Sequence, residues 1–195
     1  MGSNEMIEMI DGIETKVAII KNQYLEKYNG LIENKILLID NTDDLSKYDC
    51  VMEIKEDGVK ISFTSFDQGY SYFKTMENEI PNCINQMYGV ICKYGIIGLD
   101  IADVAAILNV KIGNFITIMT SIDNFKQEVD KLKKQIKKEI KVALFRVEGD
   151  ITLADACNFV DSVFDGTPYD ETYIIFSASY EPETYNGNAR VSIWF

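Results

Sequence analysis

Two aspartates three residues apart, Asp100 and Asp103, are the first candidates for chemistry in this sequence. They belong to residues 95–103 (GIIGLDIAD), where one helix-like segment ends at a turn with two glycines and a second helix begins. The i, i+3 spacing places both carboxylates on one face of the second helix, where the helix dipole favours negative charge. On spacing alone, Asp100 is an N-cap and Asp103 a first-turn acid, since acids are common at helix starts.

Other catalytic chemistries find no support in the residue types. The chain has no histidine, which removes the commonest metal ligand and general base. The four cysteines, Cys50, Cys83, Cys92 and Cys157, are scattered, and the spacing of the middle two is not that of a zinc site. No thiol stands beside an evident base. We expect buried free thiols in a reducing cytosol.

Composition and charge describe an acidic globular chain. Its 195 residues are 47% hydrophobic, enough for one large domain or two small ones with a buried core. The net charge of −12 repels phosphate backbones and anionic membranes, so neither nucleic acid nor membrane is an expected partner. No apolar run is long enough to span a bilayer and no signal pattern is seen at the N-terminus, which predicts a cytoplasmic protein.

The elements before residue 75 predict a small α/β region. Two buried strands with a helix between them make a parallel βαβ start, and Asp57-Gly58 between two further strands predicts a hairpin. Aromatic residues then form a cluster that we expect in the core or an interface. The predicted elements are strands over 16–20, 36–39, 48–54 and 59–63, a helix over 21–33, an amphipathic segment over 4–14 and the aromatic cluster over 66–73.

One long helix is predicted over residues 75–94, where apolar residues recur at helical spacing. Pro81 lies near its start, where proline is tolerated, and Gly95 and Gly98 are expected to end it. The predicted division of the chain is a shortened N-terminal α/β region over 1–74, this central helix over 75–94 and a second region over 95–195.

The second region predicts a two-layer α/β sandwich. Its predicted elements are a short helix over 103–108, a strand over 115–119, a helix over 125–140, a strand over 142–147, a helix from 152, a strand over 173–180 and an antiparallel strand over 189–195. Thr152 and Asp155 have the spacing of a capping box. Lysines 126, 131, 133, 134, 137, 138 and 141 concentrate positive charge there, either as a solvated face or as a docking patch for an acidic partner.

From about residue 80 onward the sequence resembles the FtsZ/tubulin superfamily, in particular bacterial FtsZ. Residues 95–104 (GIIGLDIADV) resemble the FtsZ synergy loop, which reads GLINLDFADV. Later stretches resemble FtsZ motifs in the same order: 149–153 (GDITL), 173–178 (YIIFSA) and 190–193 (RVSI). The resemblance covers over half of the chain and implies the central helix, the synergy loop and the C-terminal domain of that fold. Residues 16–20 and 36–43 resemble its first two strands only weakly.

The same resemblance shows what this sequence lacks. The family binds GTP with a glycine-rich loop, because only glycine lets backbone N–H groups wrap the phosphates. The twelve glycines of this chain are dispersed and form no such run. The region before the central helix is also too short for that GTPase domain. We therefore expect no cofactor of the chain's own, and GTP and Mg only through a partner subunit.

In that family the synergy loop enters the nucleotide site of the next subunit, where its carboxylates help to position the attacking water or a cation. Asp100 and Asp103 match those acids, whereas Gly98 replaces an asparagine. The resemblance thus implies a partner-binding face formed by Gly95, Gly98, Leu99, Asp100 and Asp103, with Asp100 and Asp103 able to act on a partner's nucleotide.

These observations predict an FtsZ/tubulin-like protein without a GTPase site, which binds or modulates a cytoskeletal filament of the cell-division or DNA-segregation type through this loop. Two alternatives remain open. One is an activator of a partner's GTPase in trans through Asp100 and Asp103, and the other is a self-assembling structural protein indifferent to nucleotide. The expected partner is an FtsZ/tubulin-family protein or a second copy of the chain.

Overall fold

The structure is a computed structural model, and it describes residues 15–66, 69–93, 95–121, 123–136, 140–165 and 172–195. These described residues form nine strands in one mixed sheet and five α-helices, which confirms the predicted α/β class. The strands are β1 (Val17–Ile20), β2 (Leu37–Ile39), β3 (Cys50–Lys55), β4 (Gly58–Phe63), β5 (Tyr70–Lys74), β6 (Ile112–Ser121), β7 (Val142–Gly149), β8 (Tyr173–Tyr180) and β9 (Asn188–Trp194). The helices are α1 (Ile80–Cys92), α2 (Ile101–Ala105), α3 (Phe125–Gln135), α4 (Leu153–Phe164) and α5 (Pro182–Tyr185).

The sheet has the strand order β2-β1-β3-β4-β5-β6-β9-β7-β8. In its N-terminal half, β1 pairs in parallel with β2, as the two apolar runs predict, and its other edge pairs in parallel with β3. β3 and β4 form the predicted hairpin, closed by the pair Lys55 and Gly58. β5 was not predicted as a strand. It lies within the aromatic cluster, where Phe73 is buried while Tyr70 points outward and is exposed.

The helix predicted over residues 21–33 is wrong. Only Leu25–Tyr28 form a short 3-10 helix. Asn22 supplies the physical reason, because its side chain accepts a hydrogen bond from the Tyr24 N–H at 3.0 Å and donates one to the Ile54 carbonyl at 2.8 Å. Such local side-chain bonds offer the backbone an alternative to the helix and tie this turn to β3.

Two predicted helices are shorter than their apolar patterns. The central helix α1 begins at Ile80 after a 3-10 turn at Glu77–Glu79, with Pro81 in its first turn as expected. It ends at Cys92, because Lys93 is extended (φ −102°, ψ 133°), so neither Gly95 nor Gly98 is what stops it. α3 ends at Gln135 rather than at residue 140. The predicted segment over 4–14 and residues 137–139 lie outside the described residues.

β6 joins the two halves of the sheet by changing partners along its length. Its first residues pair in parallel with β5, and from Phe115 onward it pairs antiparallel with β9. Gly113 lies at the change, where a Cβ would stand 2.3 Å from the carbonyl oxygen of Phe195. A larger residue therefore does not fit between the two pairings.

The C-terminal half of the sheet is covered on both faces. Leu144, Ile175 and Trp194 alternate onto the face that packs with α1, in the larger apolar cluster. Phe145 and Ile193 alternate onto the opposite face, which packs with α3 and α4. Of the described helices, none is long and apolar enough to cross a membrane.

The N-terminus of α4 has the predicted capping box. Thr152 Oγ1 accepts from the Asp155 N–H at 3.2 Å, and the Asp155 carboxylate accepts from the Thr152 N–H at 2.9 Å. We expect Thr152→Ala to lower the free energy of unfolding by about 1 kcal/mol in urea denaturation. The exposed Thr42, in a turn, is the control, and Thr42→Ala should change it by less than about 0.5 kcal/mol. Equal effects would contradict the capping role.

Candidate functional site

The loop over residues 95–103 is fixed to the outer edge of β8 by backbone hydrogen bonds. The Ile97 N–H donates to the Ala178 carbonyl at 3.1 Å, and the Ala178 N–H donates back to the Ile97 carbonyl at 3.2 Å. This isolated antiparallel bridge gives the edge strand a further partner. The loop therefore starts from a defined backbone position, although it is not part of a strand.

The two glycines of this loop have different surroundings. At Gly95, a Cβ would stand 2.2 Å from the Ala178 carbonyl oxygen, so only glycine allows the loop to approach β8 so closely. At Gly98, a Cβ would meet nothing within 4 Å, and the residue is exposed. Gly95 is thus required by packing, whereas Gly98 leaves open space on the surface.

The two aspartates occupy the start of α2, as the spacing predicts. Asp100 is the N-cap (φ −81°, ψ 166°), and its carboxylate accepts a hydrogen bond from the Asp103 N–H at 2.8 Å. Asp103 lies in the first turn, and both aspartates are exposed. Within the part of the chain that the structure describes, no hydrogen bond or ion pair uses the Asp103 carboxylate. The capping role of Asp100 is therefore confirmed, and a carboxylate at Asp103 remains available.

The five residues of the predicted partner face thus divide into two groups. Gly98, Asp100 and Asp103 are exposed and can contact another molecule. Gly95 is held against β8, and Leu99 is half-buried and packs on the larger apolar cluster. These last two hold the loop in place. The described residues contain no group of three or more acidic, cysteine or histidine side chains close enough to hold a metal ion.

A buried ion pair, which the sequence analysis missed, lies close behind this loop. Arg146 and Glu148, both on β7, have 0% and 4% of their surface exposed. Arg146 Nη2 donates to Glu148 Oε2 at 3.0 Å and to the Ser179 hydroxyl at 3.1 Å, and Nη1 donates to the Ser177 hydroxyl at 3.3 Å. Ser177 in turn donates to the Ile97 carbonyl at 3.3 Å, which connects the ion pair to the loop.

The same ion pair is connected to α1. Gln86 Nε2 donates to Glu148 Oε1 at 2.5 Å, and the Tyr185 hydroxyl donates to the same oxygen. One turn further along α1, a Cβ at Gly89 would stand 2.8 Å from Nη2 of Arg146. The helix before the loop and the loop itself are therefore both in contact with one buried group of polar side chains.

The electrostatics of this group keep Glu148 ionised. Burial raises the pKa of the Glu148 carboxyl, but the charge of Arg146 and the hydrogen bonds from Tyr185, Gln86 and Arg146 lower it more. The net pKa lies below the ordinary value for glutamic acid. Burial and the nearby Glu148 charge raise the pKa of Tyr185, so its phenol stays neutral and can donate.

A signal for this group is present in the sequence. Arg146 and Glu148 are the only charged residues of β7 and stand two apart, so they share one face of a strand that is otherwise apolar. Gln86 and Gly89 likewise interrupt the apolar face of α1. Charged residues are almost never fully buried unless paired, so the pattern predicts a polar cluster once both elements are known to be buried.

The lysines of α3 are compatible with both interpretations, a solvated face and a docking patch for an acidic partner. Lys131 Nζ lies 2.6 Å from the Glu128 carboxylate and Lys133 Nζ 3.7 Å from Asp165, so part of this charge is neutralised within the chain. Lys126 and Lys134 are exposed. Lysines 137 and 138 lie outside the described residues.

Comparison with known proteins gives similarity at the level of structure. Neither a protein-family model nor a curated protein sequence matches this chain. A mutant FtsZ from M. jannaschii is similar over 61% of this chain with 24% identity and a TM-score of 0.52. This similarity confirms an FtsZ/tubulin-like fold, and it covers only 38% of that FtsZ.

Two further solved structures are similar at lower scores. CetZ2 from Haloferax volcanii, in a GTPγS-bound protofilament, is 15% identical over 61% of this chain and 39% of its own, with a TM-score of 0.38. TubZ from Bacillus thuringiensis serovar israelensis, in GDP-form protofilaments, is 14% identical over 60% and 36%, with a TM-score of 0.39. These two scores are too low to show a fold by themselves.

The contrast between the two loop glycines can be tested by substitution. We expect Gly95→Ala to lower the free energy of unfolding by about 1–3 kcal/mol, because the added methyl group forces the loop away from β8. Gly98→Ala is the matched control, with open space around it, and should change stability by less than about 0.5 kcal/mol. Urea denaturation of both variants measures this, and equal losses would show that the contact at Ala178 is unimportant.

Removal of Arg146 should give a pH-dependent loss of stability. Arg146→Met leaves the Glu148 carboxylate buried without its counter-ion, and we expect a loss of about 3–5 kcal/mol at pH 7. In the wild type the folded pKa of Glu148 lies below the unfolded value, so its contribution is present at neutral pH and is lost as the pH falls. In the variant the Arg146 charge no longer offsets burial and only the hydrogen bonds from Tyr185 and Gln86 still lower the pKa of Glu148, so we expect that pKa to rise above the unfolded value.

The deficit of Arg146→Met relative to the wild type should therefore shrink as the pH falls from 7 towards about 5, because the variant binds a proton at Glu148 when it is folded. Urea denaturation at both pH values measures the difference. Arg146→Met/Glu148→Gln is the control, since it buries no unpaired charge and should recover part of the loss at pH 7. An equal deficit at both pH values would argue against an ionised, paired Glu148.

Proposed function

We propose that this chain binds a filament-forming protein of the FtsZ/tubulin kind through the 95–103 loop and alters its polymer or its GTP turnover. The observation that carries the proposal is the exposed acidic end of this loop on a fixed backbone. Asp100 and Asp103 are exposed, while Gly95 and Ile97 are held against β8. A surface in one defined conformation loses little entropy when it docks. The FtsZ-like fold supports the kind of partner.

The surroundings of β1 support the absence of a GTP site of the chain's own. In open α/β sheets ligands bind beyond the carboxyl ends of the parallel strands, at the point where the order of the strands reverses. β1, between β2 and β3, has that position. There Asn22 bonds to Ile54 and Tyr24, and the connection from β1 to β2 contains a single glycine, Gly30, rather than a run of them. A phosphate cradle of backbone N–H groups commonly relies on glycine in such a turn.

In this proposal the chain has the loop surface that contacts one neighbour along a filament, but it has no nucleotide site to contact a second neighbour. It would therefore end a filament or change its length. Contacts of this head-to-tail type propagate only when both faces are present. GTP and Mg would then belong to the neighbouring subunit. The contribution of this chain is negative charge at the junction, supplied by Asp100 and Asp103.

A second candidate function is activation of the partner's GTPase in trans. The specific observation in its favour is the Asp103 carboxylate, which is exposed and which the described residues leave without a hydrogen bond. A carboxylate can accept a hydrogen bond from an attacking water and so orient it. The third function is self-assembly without nucleotide, through the same loop or another surface. The experiment below distinguishes it from the other two.

The experiment is a pelleting assay with purified FtsZ, GTP and Mg, with phosphate release measured in parallel. We expect the wild-type chain in excess to change polymer mass or GTP turnover. Asp100→Asn/Asp103→Asn should abolish the effect, because it removes both charges at the junction, while asparagine can still cap α2. Asp130→Asn/Asp161→Asn removes the same charge from exposed positions on α3 and α4 and should leave the effect intact.

The outcomes separate the three functions. Loss of stimulated phosphate release with binding preserved would identify activation in trans, and loss of binding would identify the loop as a docking surface. A defined oligomer of the chain alone, unchanged by GTP and without any effect on FtsZ, would instead support self-assembly. If neither polymer nor turnover changes at excess protein and no oligomer forms, the proposal is wrong.

A further inference from the structure

The carbonyl oxygen of Ile97 accepts two hydrogen bonds from β8. It accepts the Ala178 N–H at 3.2 Å and the Ser177 hydroxyl at 3.3 Å, so both of its lone pairs are used. The two donors come from neighbouring residues of β8, one from the backbone and one from a side chain. The backbone bond could be made by any residue of the strand, whereas the second bond requires a hydroxyl at position 177.

The direction of the Ser177 hydroxyl is set by Arg146. A guanidinium group can only donate hydrogen bonds, so the contact between Arg146 Nη1 and Ser177 Oγ at 3.3 Å uses Ser177 as the acceptor. The single hydroxyl proton of Ser177 is then left to point at the Ile97 carbonyl. Arg146 thereby acts on the loop through one intermediate group.

Arg146 is itself unable to move aside. Its Nη2 is bound by Glu148 at 3.0 Å and by the Ser179 hydroxyl at 3.1 Å, and α1 lies against it at Gly89. All of these groups are buried, and a partner withdrawn from a buried charge is strongly unfavourable. Ser177 and Ser179 make similar contacts with the guanidinium group, Ser177 with Nη1 and Ser179 with Nη2. Both accept from Arg146, but only Ser177 contacts the loop.

We propose that Arg146 and Ser177 are positioning residues for the 95–103 loop. The buried guanidinium orients the Ser177 hydroxyl, and the hydroxyl fixes the Ile97 carbonyl, three residues before the exposed Asp100. The conformation in which the loop presents its acids is in this way set from within the core. Its consequence for a partner rests on the proposed function, but the positioning itself does not.

The test compares Ser177→Ala with Ser179→Ala by amide hydrogen exchange. Both variants remove one buried hydroxyl that accepts from Arg146, so they are matched in their effect on the core. We expect exchange at the Ile97 and Ala178 amides to become roughly three- to tenfold faster in Ser177→Ala, the range for one hydrogen bond, and to change less than about twofold in Ser179→Ala. The amides of β7 serve as the reference for global opening.

Equal acceleration in both variants, or no acceleration in Ser177→Ala, would overturn the proposal. Ser177→Thr keeps the hydroxyl and gives a second arm should the alanine variant fail to fold. We expect the Ile97 amide of Ser177→Thr to exchange at a rate close to that of the wild type. If it exchanges as fast as in Ser177→Ala, the hydroxyl does not fix the loop.

The effect on FtsZ polymer separates this proposal from the function. If the wild-type chain changes polymer mass or turnover, Ser177→Ala should weaken that effect and Ser179→Ala should not, and equal weakening in both would count against positioning. If the wild-type chain has no effect on FtsZ, the proposed function fails, while the exchange experiment still decides whether Arg146 and Ser177 position the loop.

Discussion

The ion pair of Arg146 and Glu148 constrains the elements around the 95–103 loop. Two charges removed from water need hydrogen-bond partners around them, and among the described residues every side-chain nitrogen and oxygen of the pair except Arg146 Nε has one. Here those partners come from β8, from α1 through Gln86, and from Tyr185 at the end of α5. Each of these elements is therefore held within hydrogen-bond distance of one point on β7. A residue larger than glycine at position 89 would disturb the arrangement, because α1 lies directly on the guanidinium group.

The loop combines a rigid origin with a polar, exposed end. Its first residues are bound to β8, Leu99 packs on the apolar core, and Asp100 begins α2 as its N-cap. The negative charge of the exposed end is thereby presented by a short helix rather than by a flexible tip. The two interpretations of Asp100, as a helix N-cap and as part of a partner-binding face, are compatible. A capping carboxylate that accepts one N–H still has lone pairs and charge directed at solvent.

The sequence predicted most of the strands, because apolar runs such as residues 16–20 and 173–180 have a period and length that no competing signal opposes. The predictions that failed did so for different local reasons. Asn22 replaced a helix by a turn bound to β3, and β5 was missed because its aromatic residues lie on both faces and a polar residue, Ser71, lies on the buried one. In the site, the capping spacing of Asp100 was predictable from local rules. The approach of Gly95 to β8 and the Arg146 cluster were not, since both depend on contacts between residues far apart in the chain.

The position of β9 has a consequence for the order in which the molecule can assemble. β9 follows all the other strands in sequence, yet it lies between β6 and β7 and is hydrogen-bonded to both. Until residues 188–194 have left the ribosome, β6 and β7 lack the strand that joins them, and β7 and β8 are separated from the other six strands. Contacts between residues so far apart in sequence form slowly, because a long loop has to be closed before any of them stabilises the chain. Folding of the C-terminal half, and with it the site on β8, is thus a late event that joins β7 and β8 to the rest of the sheet.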